Sequence, residues 1–233
     1  MSQKVIPKII HFCWFGGGEK SKDVLEYIKT WQQLLPDYKI MEWNEKTYSI
    51  ENSIPYVKEA YSSKKWAFVS DYVRLYALYN YGGIYLDTDV QILKSFDDLL
   101  KNEVFFGFES KDYLCTAVMG ACSKHWFVKE FLDSYKERHF IQEDGSWYTK
   151  EIAPDVLALA AEKFGLKYDN EIEQQLEERM LILPSRILGA AWKQVTDDTI
   201  AVHLSKGSWR KRTWLRNILT KLNFYRKIFK AHK

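Results

Sequence analysis

The sequence predicts an α/β domain with a mixed, mainly parallel central sheet flanked by helices, and three observations carry that expectation. β-prone runs alternate with amphipathic helical stretches from the N-terminus onward. A strand, a helix and a second strand follow one another between Val5 and Trp43 at the spacing of a βαβ unit. A long apolar-faced stretch, Trp66–Tyr81, ends on Gly82-Gly83 and runs directly into the β-prone Ile84-Tyr85-Leu86.

Taken in order, Val5–Trp14 is a buried first strand opening onto the loop Gly16-Gly17-Gly18. Ser21 is placed to cap a helix whose Val24, Leu25, Ile28, Trp31, Leu34 and Leu35 recur at helical spacing until Pro36 stops it. Tyr38–Trp43 is the second strand, and Pro55–Tyr61 a short helix. The third strand is the Gly82–Val90 stretch, within which an extended backbone puts Asp87 and Asp89 on one face and Thr88 on the other. Val104–Phe108 and Leu114–Met119 are two more strands, followed by helices over about 124–138 and 151–164. Glu171–Glu178 is too charged for the core. Leu181–Leu183 and Thr199–Leu204 are short strands, the second carrying His203 near its end.

With 233 residues, 46% of them hydrophobic and 16% aromatic, the chain can bury a full core in one large domain. That excludes a disordered chain. No apolar run approaches the ~20 residues of a membrane-spanning helix, and Met1–Lys8 has no leader-like apolar segment. Three cysteines, Cys13, Cys115 and Cys122, are odd in number and form no CxxC pair, which fits a reducing compartment. A cytoplasmic location is expected. Charge is uneven: ten of the 34 Lys and Arg fall from Lys206 onward, where Asp and Glu are absent, so the body is net acidic. The expected organisation is a domain over 1–209 and a basic amphipathic tail over 210–233. Trp214, Leu215, Ile218, Leu219, Leu222, Tyr225 and Phe229 recur at helical spacing in that tail, with Arg212, Arg216 and Lys227 mostly on another face. Such a helix suits an anionic membrane surface, and its apolar face could equally dock on the domain. Nucleic acid is not expected as a partner, because the body is acidic and carries no nucleic-acid-binding motif.

Two carboxylates at spacing two, Asp87 and Asp89, either hold a hard divalent cation such as Mn²⁺ or Mg²⁺ or form an exposed turn. Trp14 is a core residue or a stacking face for a base. Asp71 and Arg74, three apart on a helix, are an ion pair or ligands for ribose, sugar or phosphate. His203, Lys206 and Ser208 offer an imidazole, a cation and a hydroxyl suited to a diphosphate or its metal. Glu109 and Asp112, after the fourth strand, are a candidate second acidic pair.

Three ordered motifs resemble those of glycosyltransferase family 32, the DXD-motif sugar transferases of capsule and lipopolysaccharide synthesis and of yeast α-mannosylation, and more distantly the clostridial glucosylating toxins. They are Ile6-Pro7-Lys8-Ile9-Ile10-His11-Phe12-Cys13-Trp14-Phe15-Gly16, Ser70-Asp71-Tyr72-Val73-Arg74, and Gly82-Gly83-Ile84-Tyr85-Leu86-Asp87-Thr88-Asp89. The resemblance covers roughly residues 5–110 and resumes at 200–209. It implies a GT-A-like fold, a nucleotide-sugar donor (a UDP-sugar favoured, a GDP-sugar admissible), Mn²⁺ or Mg²⁺, and retention of anomeric configuration. It implies Trp14 stacking on the base, Asp71 on the ribose or donor sugar, Arg74 on sugar or phosphate, Tyr85 lining the pocket, and Asp87 and Asp89 on the metal–diphosphate, with His203 beside the metal. Lys206, Ser208 and Trp209 fall in the segment that closes over the diphosphate. The implied acceptor is a saccharide or lipid-linked saccharide of bacterial surface polysaccharide, at the cytoplasmic face of the inner membrane. Two other functions fit the same residues: a glycoside hydrolase with paired carboxylates, and a non-catalytic membrane-associated sugar-binding module.

Overall fold

A computed structural model describes residues 5–110, 113–148 and 153–204. The basic tail, and with it Lys206, Ser208, Trp209 and Asp112, lies outside the described residues.

The first strand, β1 (Ile9–Cys13), passes through α1 (Lys22–Leu34) to a parallel neighbour, β2 (Lys39–Trp43), as the βαβ spacing predicts. Ser21 caps α1 by accepting a hydrogen bond from the Val24 N–H. Two helices follow, α2 (Pro55–Ser62), with its proline at the first position, and α3 (Trp66–Tyr81). Gly82 terminates α3 at φ +66°, its N–H donating to the Leu78 carbonyl. Gly83 stands at φ +107°, and a Cβ there would sit 2.5 Å from the Ile9 carbonyl oxygen. No other residue lets β3 (Gly83–Leu86) leave the helix this close to β1.

The remaining elements are β4 (Val90–Ile92), β5 (Val104–Ser110), β6 (Tyr113–Ala121), α4 (Trp126–Asp133), α5 (Ala153–Glu162), β7 (Gln174–Leu176), β8 (Met180–Leu183), β9 (Leu188–Ala190) and β10 (Ala201–His203). Seven strands form the main sheet in the order β2-β1-β3-β6-β5-β8-β7, and β4-β10-β9 form a second, smaller one. Following the pairings across the main sheet, β2, β1, β3, β5 and β8 run in one direction, and β6 and β7 run against them. The mainly parallel sheet is therefore the observed one. The charged 171–178 stretch contributes the edge strand β7, where Gln174 alone is buried, and the start of a 3-10 turn at Glu177.

Period-two alternation divides the core between the sheet's two faces. Cys13, Tyr85, Phe106 and Ile182 pack with α2, α3, α4 and α5, whereas Phe12, Ile84, Leu86, Phe105 and Leu183 pack with α1 and the small sheet. No helix among the described residues is long and apolar enough to cross a membrane.

One expectation is corrected. Asp87-Thr88-Asp89 is not extended: β3 ends at Leu86, and the Val90 N–H donates to the Asp87 carbonyl at 3.0 Å, closing a tight turn. Asp is favoured at the first position of such turns. After it the chain leaves the main sheet and enters the small one as β4.

His11 is fully buried in β1. Its Nε2–H donates to the Gly82 carbonyl at 2.7 Å, and its Nδ1 accepts from the Trp43 indole N–H at 3.1 Å. Those partners select one neutral tautomer. Burial lowers the imidazole pKa from 6.5 to about 4, the Gly82 bond opposing and the charge of Lys39 assisting. A depressed folded-state pKa in a histidine means that the unfolded chain takes up the proton first as pH falls. Stability is full above pH 6.5 and is lost through the window between 6.5 and about 4. Between pH 7 and pH 5 this one group should remove about 2 kcal/mol. Urea unfolding of the wild type and of His11→Gln over that range tests it. The variant's profile should lack that component, and identical slopes would refute the neutral assignment.

Candidate functional site

β1 and β3 lie side by side and parallel, Ile10 opposite Ile84 and His11 opposite Tyr85, so their carboxyl ends open at the same edge of the sheet. That edge is where α/β sheets bind ligands. β1 delivers Trp14 there, and β3 delivers the Asp87–Asp89 turn. β10 runs antiparallel to β4 with His203 opposite Val90, and the Leu204 N–H donates to the Asp89 carbonyl at 3.1 Å. The small sheet thus sets an imidazole beside the carboxylate turn.

Ligand-capable atoms of Asp87, Asp89 and His203 all lie within 4.8 Å of one another. Two carboxylate oxygens and one imidazole nitrogen around a common point form a donor set that Mn²⁺ accepts, with room for phosphate oxygens or water to complete the shell. The residues present therefore fit a divalent cation. His203 Nε2 stands 3.4 Å from Asp89 Oδ1, and Nδ1 stands 3.4 Å from Glu109 Oε1. Burial opposes a charge on this imidazole, but Asp89, Cys115 and Glu109 outweigh it and hold the pKa well above the ordinary value.

Behind the turn lies a buried cation. The Arg74 side chain is 5% exposed, and its Nη2 lies 2.8 Å from Asp71 Oδ1 and 3.5 Å from Asp87 Oδ1. Its Nη1 donates to the Thr116 carbonyl at 2.6 Å and its Nε to the Ser70 carbonyl at 3.3 Å. The guanidinium carbon sits 4.7 Å from the centre of the Tyr85 ring. Burial works against its charge, yet Asp87, Tyr85 and Asp71 together raise its pKa above the ordinary value. Burial also pushes the Asp71 carboxyl up to about 6, against the pull of Arg74 and with the help of Asp87. Tyr85, itself buried, donates its hydroxyl to Asp87 Oδ1 at 2.8 Å. Both contacts to Asp87 fall on Oδ1, so Oδ2 carries neither.

Trp14 is half-buried, and its indole N–H donates to the Gly18 carbonyl at 2.6 Å, folding the glycine loop back on the ring. Gly16 lies so close to Trp66, at the start of α3, that an added Cβ would approach the indole to 2.5 Å. The loop carrying Trp14 is thereby seated on the helix carrying Asp71 and Arg74. Cys13, next to Trp14, is inert: burial pushes its thiol up to about 12.

The structure thus gathers Asp71, Arg74, Tyr85, Asp87, Asp89 and His203 into one network, with Trp14 on the neighbouring strand end. Arg74 and Tyr85 meet Asp87 from behind, instead of lining an open wall. Sequence reasoning missed the contact between Glu109 and His203. Its only signal there was a carboxylate placed just past a buried strand.

A family profile described as a glycosyltransferase sugar-binding region containing a DXD motif matches residues 21–106. Mannosyl phosphorylinositol ceramide synthase SUR1 of Saccharomyces cerevisiae is 31% identical over 140 residues, 57% of this chain and 35% of that protein. Inositol phosphoceramide mannosyltransferase 3 of Schizosaccharomyces pombe is 32% identical over 130 residues, 53% of this chain and 35% of that protein. The matched part is therefore about a third of each relative's length. Among solved structures, the PaToxG glycosyltransferase superposes with a TM-score of 0.54 at 18% identity, covering 69% of each chain. That likeness concerns the fold, which is GT-A-like as the sequence motifs imply.

Proposed function

We propose that the chain, whose residues 21–106 match a glycosyltransferase sugar-binding region containing a DXD motif, transfers a hexose from a nucleoside-diphosphate sugar to a saccharide or lipid-linked acceptor. The observation that carries this function is the convergence of Asp87, Asp89 and His203 within 4.8 Å, beside Trp14 and above the buried Arg74. Asp87, Asp89 and His203 would hold a divalent cation, Mn²⁺ before Mg²⁺ because one donor is an imidazole nitrogen. When bound, that cation supplies electrostatic stabilisation for the charge that develops on a diphosphate leaving group.

The chain's own residues do the rest. Trp14 offers a ring to the base, and Asp71 offers a carboxylate to ribose or sugar hydroxyls. Tyr85 and Arg74 fix the Asp87 carboxylate before any ligand arrives, so little reorganisation is left for the reacting state. In the transfer, the acceptor oxygen bonds to the anomeric carbon as the bond to the diphosphate oxygen breaks. The leaving oxygen keeps the electron pair, and the acceptor's proton ends on the phosphate. Retention of configuration, with attack from the leaving-group face, is the expected stereochemistry. A glycoside hydrolase would need two carboxyls flanking a bond. Asp87 and Asp89 instead point with His203 to one shared position.

One fungal relative is named an inositol phosphoceramide mannosyltransferase, so mannose is a candidate for the transferred hexose, with the GDP-sugars kept beside the UDP-sugars as candidate donors. A thermal-shift panel of UDP, GDP and their hexose conjugates, with and without Mn²⁺, tests the proposal. A ligand binding only the folded state adds ~2.7 kcal/mol at a hundredfold excess over Kd. The base with the larger Mn²⁺-dependent shift names the donor class, and no shift from any of them would overturn the proposal.

We assign the 210–233 tail to an anionic membrane surface, which would hold the enzyme beside lipid-linked acceptors. Deleting residues 211–233 should abolish sedimentation with anionic vesicles, and salt should weaken binding of the full chain. Unchanged vesicle binding by the truncated chain would return the tail to a packing role.

A further inference from the structure

His203 sits between two carboxylates that approach opposite edges of its ring. Asp89 is 3.4 Å from Nε2, and Glu109 is 3.4 Å from Nδ1. The histidine side chain is only 13% exposed, and that of Glu109 is 35% exposed. Glu109 reaches this place from the end of β5, whereas His203 comes from β10 in the other sheet, so the contact is made by tertiary structure alone. Cys115 is the further polar neighbour of the ring.

A metal-binding imidazole must offer a lone pair on one nitrogen, and the proton on the other is normally held by a carboxylate or carbonyl, which fixes tautomer and ring angle. Resting on the metal assignment proposed above, we infer that Glu109 is the positioning residue for His203. Its carboxylate accepts the Nδ1–H and thereby turns the Nε2 lone pair toward the point shared with Asp87 and Asp89. Glu109 does not itself touch donor or cation. Its work is to hold the ring at the angle in which Nε2 faces the cation's place.

The test is a Mn²⁺ titration of the full chain without donor, followed by the EPR signal of free Mn²⁺. Glu109→Ala should weaken binding by about 10- to 100-fold, the range for loss of such an outer partner. Glu109→Gln keeps an oxygen that can accept the Nδ1–H, and should stay within about fivefold of the wild type. In a His203→Ala background, Glu109→Ala should add almost nothing, because the group it positions is gone. Unchanged affinity in Glu109→Ala would overturn the inference. So would an equal loss in Glu109→Gln, since charge rather than orientation would then be at work, and so would full additivity with His203→Ala. Asp89→Asn separates the two levels. If that variant also binds Mn²⁺ like the wild type, the metal assignment itself fails, whereas weak binding there beside normal binding in Glu109→Ala removes only the role of Glu109. Circular dichroism and thermal melting of the two Glu109 variants should match the wild type, because Glu109 is partly exposed.

Discussion

Asp89→Asn is expected to lower Mn²⁺-supported sugar transfer by three orders of magnitude or more while leaving the fold intact. The substitution keeps the size of the side chain and removes its charge. The turn survives because it is closed by backbone: Val90 N–H to the Asp87 carbonyl, and Leu204 N–H to the Asp89 carbonyl. What is lost is the negative charge of one of the three proposed cation donors, the charge that faces His203 Nε2. Removing a single stabilising donor from a pre-organised site typically costs about 10²–10³ in rate. Here a weakened cation adds to that loss. Initial rates at saturating donor across a Mn²⁺ series, beside a thermal melt, decide the matter. Full activity in Asp89→Asn would sink the metal assignment, and a collapsed melt would mean that the aspartate is structural.

The parts of the fold that local pattern specifies were legible in the sequence. Ser21, Pro55 and Gly82 mark helix ends by chemistry that acts within a few residues, and each stands where it was expected. The βαβ unit from β1 to β2 was legible for the same reason. Of the small sheet only β10 was legible, within the strand expected over Thr199–Leu204; β4 and β9 are three residues long and show no period. Missing them had a consequence at the site. Asp87 and Asp89 read as two steps along a strand, because β-prone Ile84-Tyr85-Leu86 leads into them. The change of sheet at Val90 is what bends them into a turn. His203 was singled out from its neighbours in sequence, but its partners Asp89 and Glu109 come from remote elements and left no local trace. Arg74 was read as the partner of Asp71 in an ion pair or as a ligand for sugar or phosphate, and the ion pair is present. Only the burial of its guanidinium, together with the Thr116 carbonyl that β6 brings to it, shows how fully its donors are engaged by the protein.

That engagement makes Arg74 the position where stability and catalysis should fall together. Arg74→Ala would leave Asp71, pushed up to about 6 by burial even with its partner present, with no cation beside it. Asp87 would lose the guanidinium 3.5 Å away, and the Thr116 carbonyl would lose its donor. Removing one partner from a buried ion pair costs about 3–5 kcal/mol, a large share of the 5–15 kcal/mol by which a typical domain is stable. Arg74→Lys should recover only part of this. An ammonium is a point charge with three donors, and cannot meet Asp71, Asp87, Ser70 and Thr116 as the planar guanidinium does. Urea unfolding in the absence of metal and donor separates this from a direct ligand contact. An arginine that only bound sugar or phosphate would leave ligand-free stability unchanged when replaced, and would show its loss in donor affinity alone. A midpoint shift worth about 3 kcal/mol or more in Arg74→Ala, with Arg74→Lys in between, would establish the guanidinium as the support on which the carboxylate turn is built. An unshifted midpoint would place it back among the donor ligands.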